Sequence, residues 1–204
     1  YLIAAVSFIY GLKMLSHPKT ARNGNTIASI GMLIAIITTI YFGTNLDFKM
    51  IIIAMVIGTI IGSFFAIRVE MTQMPQLVAI FNGFGGGASA LVASSEFLNT
   101  QNSNIDPSLF LIISITLSVL IGTLTFTGSF IAFGKLQGIV TSKPITFTGQ
   151  QILNALLAMI MIISAWMIPT YGMKSFYVIL GLSALLGILL VIPIGGADMP
   201  VVIS

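Results

Sequence analysis

Charge is what this chain has least of. Its 204 residues hold eight Lys and Arg and five Asp and Glu, 6% of the total, where a soluble domain carries about 25%. Too few charged side chains remain to coat a water-facing surface, so a soluble globular protein is excluded and a nucleic-acid partner is not expected. Cysteine is absent, which excludes disulfides and thiolate metal sites. The one histidine, His17, lies in the polar segment 16–25, so a multi-histidine metal site is excluded as well. No signal peptide is visible, because there is no initiator Met and Tyr1 already stands in an apolar run. The closing residues "ADMPVVIS" break off as another apolar segment begins. The chain therefore reads as an internal piece of a longer membrane domain, truncated at both ends.

What is present is grease: 57% of the residues are hydrophobic and the mean hydropathy is +1.10. A membrane-spanning helix needs roughly 20 mostly apolar residues. Seven segments approach that length, at about 1–15, 26–42, 48–67, 75–98, 107–133, 151–168 and 174–192, and an eighth starts at Pro200 and is cut. The runs are long and do not alternate with a period of two, as barrel strands would. Helices also pair their own backbone groups in lipid. The expected fold is all-α: a polytopic transmembrane helix bundle of about seven spans plus the start of an eighth, forming one domain over 1–204. Short connections predict antiparallel neighbours.

Lysine and arginine concentrate in cytoplasmic loops. The connections after the first, third and fifth segments carry Lys13, Lys19, Arg22, Arg68, Lys135 and Lys143, against Lys49 and Lys174 in the others. Six against two puts the odd connections, and the "IGGADMP" turn after the seventh segment, in the cytoplasm or an organelle's matrix. "MTQMPQLVAI" and "GADMPVVIS" share Met-Pro before an aliphatic run, either an internal repeat or two helices that begin alike, since proline suits a first helical turn.

The segment centres hold no Asp, Glu, Lys, Arg or His. Proton carriers usually place an ionisable group within the membrane. Any proton conducted here must use a group from another chain, or water beside uncharged polar side chains. Asn82 is the most conspicuous such side chain, roughly 10 Å along its helix from Pro75. It can hold water or a protonatable partner without titrating, or it can make a plain helix–helix hydrogen bond. Next to it Gly83, Gly85, Gly86 and Gly87 crowd into five positions, permitting close backbone approach or leaving a small wet space. Gly58 and Gly62 form a second GxxxG, which tight packing suffices to explain. "GFGGG" is no dinucleotide fingerprint, since no strand precedes it.

Ser114, Ser118, Gly122, Thr125 and Ser129 recur at spacings of four, four, three and four, which puts them on one helix face. That face either lines a wet path or is a seam whose hydroxyls bond their own backbone. Asp198 stands at a helix start, where a negative charge is favoured. Glu70 is expected to pair with Arg68 at the membrane boundary.

Several stretches together resemble one family: "VEMTQMPQLVAIFNGFGGGA", "TFTGSFIAFGKLQG", the "SKP" at 142–144, "IGGADMPVV" and, before them, "HPKTARNGN". The chain resembles, over essentially its whole length, the membrane domain of the beta subunit of proton-translocating NAD(P) transhydrogenase. The resemblance implies an enzyme that moves hydride between NADH and NADP⁺ while protons cross the membrane, with this segment as the proton-conducting part. It implies that NAD(H) and NADP(H) bind soluble domains outside this segment, which itself binds no cofactor and no metal. The implied partners are the alpha subunit with its membrane helices and NAD(H) domain, the beta NADP(H) domain, and a second alpha–beta unit in a dimer. The implied location is the bacterial inner membrane, or the mitochondrial inner membrane in a eukaryote.

By the same resemblance, Asn82 stands where many members have a histidine implicated in proton transfer, and this sequence departs from that pattern. A histidine from the alpha-side membrane part would then serve, with Asn82 orienting it or a water and Gly83–Gly87 leaving room. Ser118, Thr125 and Ser129 would border the path. Asp198 matches an acidic residue at the membrane face beside the NADP(H) domain, suited to coupling, with Glu70 at the same boundary. Two readings compete: a secondary-transporter core with a glycine-broken helix around a solute, and a purely structural membrane subunit.

Overall fold

The structure is a computed structural model, and it describes residues 1–43, 47–102, 108–196 and 199. Asp198, most of the second Met-Pro stretch and Pro107 lie outside the described residues. The described residues form eight α-helices and one 3₁₀ turn: α1 Leu2–Leu15, α2 Ala21–Phe42, α3 Phe48–Arg68, the 3₁₀ turn Met71–Gln73, α4 Met74–Asn102, α5 Leu109–Leu136, α6 Gln150–Trp166, α7 Ile168–Tyr171 and α8 Met173–Val191. No strand occurs among the described residues. Each of the seven apolar segments is helical. Among the described residues five helices, α2, α3, α4, α5 and α8, are long and apolar enough to cross a membrane, while α1 and α6 are apolar but shorter.

The chain's contacts gather in two units, Tyr1–Gly62 and Ser63–Ser204. In the first, α1 and α2 pack as a hairpin whose contact is made by glycines. A Cβ on Gly24 would stand 2.7 Å from the Gly11 carbonyl oxygen, and one on Gly31 would stand 2.9 Å from Ser7 Cβ. This explains a difference from the sequence expectation. The second apolar segment starts at about 26, yet α2 begins at Ala21, and Gly24 in its first turns is where the two backbones meet. The Thr20 hydroxyl donates to the Met14 carbonyl at 2.7 Å and closes the connection. Asp47 caps α3 by accepting from the Lys49 and Met50 amides at 3.1 and 3.3 Å, and α3 itself buries no residue.

In the second unit, α5 is central, packed along α4 on one side and α8 on another, with α6 against α8. Ala93 and Phe97 of α4, Ile115 and Val119 of α5, and Phe176 and Ile179 of α8 form the main apolar cluster. The Phe97 and Phe176 rings stack within it at 4.3 Å and 7°. Leu157, Met161 and Leu186 form a smaller one between α6 and α8. Helix α4 is continuous through its glycines. Each glycine costs a helix about 1 kcal/mol relative to alanine, and the close packing on α5 offsets that cost. Helix α5 ends at Leu136, and Gly138 just beyond it has a φ of 74°, a left-handed conformation that glycine adopts without strain.

Candidate functional site

The opening of α4, the end of α5 and the end of α8 meet at one end of the second unit. Gln76 donates from Nε2 to the Leu136 carbonyl at 3.1 Å, and Gln137 donates to Gln76 Oε1 at 2.5 Å. Two turns further along α4, Asn82 Nδ2 donates to Ser129 Oγ of α5 at 2.9 Å. Ser129 is buried, whereas Asn82 is exposed on this chain taken alone. Its Oδ1 accepts from no described residue. The two side chains border a cleft of about 270 Å³, lined further by Thr125, Gly128, Ala132, Leu190, Val191 and Ile194.

A second cleft, of about 470 Å³, lies further along the same two helices and is lined by Ala88, Ser89, Ala93, Glu96, Ser114 and Ser118 among others. Between the two clefts the backbones of α4 and α5 touch. A Cβ on Gly86 would stand 2.7 Å from the Gly122 carbonyl oxygen, and one on Gly122 would stand 2.6 Å from that of Gly86. The polar stripe of α5 is therefore divided, with Ser114 and Ser118 in one cleft, Thr125 and Ser129 in the other, and Gly122 at the crossing. None of these four hydroxyls bonds its own backbone, although Thr116 and Thr127, off the stripe, do so to Ile112 and Thr123. A seam of self-bonded hydroxyls is thus absent along the stripe.

The glycines of α4 differ from one another. A Cβ on Gly83 would meet the Phe130 ring and Ser129 Cβ at 3.2 Å, and one on Gly87 would meet the Phe126 ring at 2.8 Å. Side chains of α5 fill the space these glycines and Gly86 leave. Gly85 meets no described atom within 4 Å, and neither do Gly58 and Gly62 of α3.

The expected ion pair between Arg68 and Glu70 is not formed among the described residues. The Arg68 guanidinium instead lies over the Phe64 ring at 5.1 Å, a contact that needs no carboxylate, and Glu70 is exposed. Lys135 also departs from expectation, since it is no loop charge. It sits in the last turn of α5, 1% exposed, and its ammonium donates to the carbonyls of Ile192 and Ile194 at 2.5 and 2.8 Å, with a longer contact at 3.4 Å to that of Lys143. From sequence alone it counts as a connection charge, because a lysine at a helix end is normally solvated. The signal available was its place between Gly134 and Gly138, where small neighbours leave room for the side chain to fold inward. Among the described residues no group of three His, Cys, Asp or Glu side chains could hold a metal ion.

Long apolar helices whose contact face carries uncharged polar groups, divided between two clefts, define a polytopic helical membrane protein with a polar interior face. The family model described as NAD(P) transhydrogenase beta subunit matches residues 1–204. The chain is 42% identical over 209 residues to NAD(P) transhydrogenase subunit beta of Rhodospirillum rubrum, and equally to that of a named strain of the same organism, with 100% of this chain covered in both cases. The chain belongs to the NAD(P) transhydrogenase beta subunit family. It spans 45% of the length of those relatives.

Proposed function

We propose that this chain is the proton-conducting membrane part of a transhydrogenase that couples hydride transfer between NADH and NADP⁺ to proton translocation. The observation that carries the reading is the Asn82–Ser129 hydrogen bond of 2.9 Å beside a cleft. Asn82 uses an amide hydrogen on Ser129 and keeps its carbonyl oxygen for a donor that no described residue supplies. An exposed carboxamide within a membrane span is costly against lipid, so the reading covers it with a helix of the alpha subunit carrying a protonatable group. Family membership supports that partner. Residues 1–204 then serve as one proton-channel part with about seven spans and the start of an eighth. NAD(H) and NADP(H) are bound by soluble domains, and the complex is a dimer of alpha–beta units in the bacterial or mitochondrial inner membrane.

Within this reading Asn82, Thr125 and Ser129 border the inner part of the proton path and Ser118 the outer part, while Asp198 and Glu70 couple it to the NADP(H) domain. Gly58, Gly62 and Gly85, open in this chain, are packing positions for other chains. Burial of Lys135 leaves five solvated Lys and Arg against two in the charge count, so the orientation keeps its support. A glycine-broken solute site is less favoured because α4 is continuous.

The test uses the full-length complex in sealed vesicles, following NADPH oxidation by an NAD⁺ analogue together with acidification. Asn82→Leu should lose both signals with assembly intact, and Asn82→His should retain more of each. Equal activity in the two variants would remove Asn82 from the path.

A further inference from the structure

Lys135 is the one charged residue among the largest fully buried side chains of the described chain. An ammonium has three N–H donors and no acceptor, and a buried charge must replace its lost water with protein partners. Here the partners are all main-chain carbonyls, and two of them, Ile192 and Ile194, belong to the turn that follows α8. The last carbonyls of a helix lack donors within it and form the negative end of its dipole, so a lysine from a neighbouring helix fits them in both charge and geometry. The same turn is held twice more from the segment after α5. The Ile145 amide donates to the Ile192 carbonyl at 3.2 Å, and the Gly196 amide to that of Ser142 at 2.9 Å. Ser142 is tied back to the Lys135 carbonyl through its hydroxyl at 3.1 Å.

Two features make this more than a helix cap. Ile194, whose carbonyl the ammonium holds, also lines the cleft beside Asn82 and Ser129. Asp198 follows four residues later in the chain. Lys135 and Ser129 lie on the same helix with Ala132, another lining residue, between them.

We infer that Lys135 is a positioning residue of the coupling machinery: its ammonium latches the 192–196 turn to the end of α5 and so holds Ile194 as a wall of the Asn82–Ser129 cleft. Displacement of the turn by the NADP(H) domain would then move Ile194 and change access of water to the cleft. This rests on the transhydrogenase reading above and adds to it the element that converts a domain movement into opening of the path.

The experiment uses the full alpha–beta complex in sealed vesicles, with Lys135→Met, Lys135→Arg and wild type compared. Methionine keeps the apolar stem and removes the three donors. The readout is the ratio of protons moved to hydride transferred, which a role in stability alone would leave unchanged in the assembled fraction. The ratio should fall at least fivefold in Lys135→Met and recover by half or more in Lys135→Arg. This chain has no cysteine, so Ala132→Cys adds a direct probe. Its labelling by a small aqueous thiol reagent, located by mass spectrometry, should quicken at least fivefold when combined with Lys135→Met. If wild type pumps and Lys135→Met has the same ratio and labelling, the latch is wrong and the transhydrogenase reading stands. Wild type that oxidises NADPH without acidification sinks both. If Lys135→Met does not assemble, Ile194→Ala carries the test: the same fall in ratio supports the latch, and an unchanged ratio overturns it.

Discussion

The crossing of α4 and α5 at Gly86 and Gly122 is where a single methyl group should have its largest effect. In Gly122→Ala the new Cβ would stand 2.6 Å from the Gly86 carbonyl oxygen, 2.8 Å from the Ala90 amide nitrogen and 3.1 Å from Ala90 Cβ, where ordinary contact begins at 3.4 Å. The two nearest atoms are backbone, so no side chain can rotate away and the helices must part locally by about 0.8 Å, the difference between 3.4 and 2.6. Overpacking of this kind costs about 1–3 kcal/mol. Alanine returns roughly 1 kcal/mol through its better helix propensity. With rigid backbone on both sides the upper end applies, which leaves a net loss of about 2 kcal/mol. The purified full-length complex, heated in detergent, should lose its fold several degrees below wild type. A Gly122→Ala complex that melts at or above the wild-type temperature would show that the backbones do not meet there.

Two further predictions separate structural from functional polar groups. Ser129→Ala removes the acceptor of the Asn82 amide, a bond of a kind worth about 0.6 kcal/mol in membranes. Thermal stability should hardly change while proton movement falls at least tenfold; normal pumping would reduce the pair to a packing contact. Thr123 carries a buried hydroxyl with no hydrogen-bond partner among the described residues, so Thr123→Val, which keeps the shape and removes the orphan, should stabilise the complex by about 1 kcal/mol. A lower melting temperature would mean that a water satisfies the hydroxyl.

What the sequence revealed and what it hid divide along a physical line. Hydropathy acts over a whole segment, so all seven apolar runs are helical, and most boundaries, such as 174–192 against Met173–Val191, agree within a residue or two. Asn82 and the α5 stripe stood out because polar groups are rare in such segments, and Ser129 indeed bonds Asn82. The stripe's division was hidden, because it depends on Gly122 meeting Gly86, a glycine on another helix. The start of α2 was misread for the same reason, since Gly24 looks like a turn residue until Gly11 is opposite it.

Lys135 is the extreme case. The carbonyls that hold it come from residues 57 and 59 positions further on, and a carbonyl has no letter in a sequence. Every residue has one, so a cation bonded only to main chain leaves no complementary acidic residue to search for. Its placement among glycines was the whole of the visible signal. In a bundle that keeps ionisable groups out of its helix centres, this lysine stands within two turns of Ser129 and is satisfied by main-chain carbonyls alone.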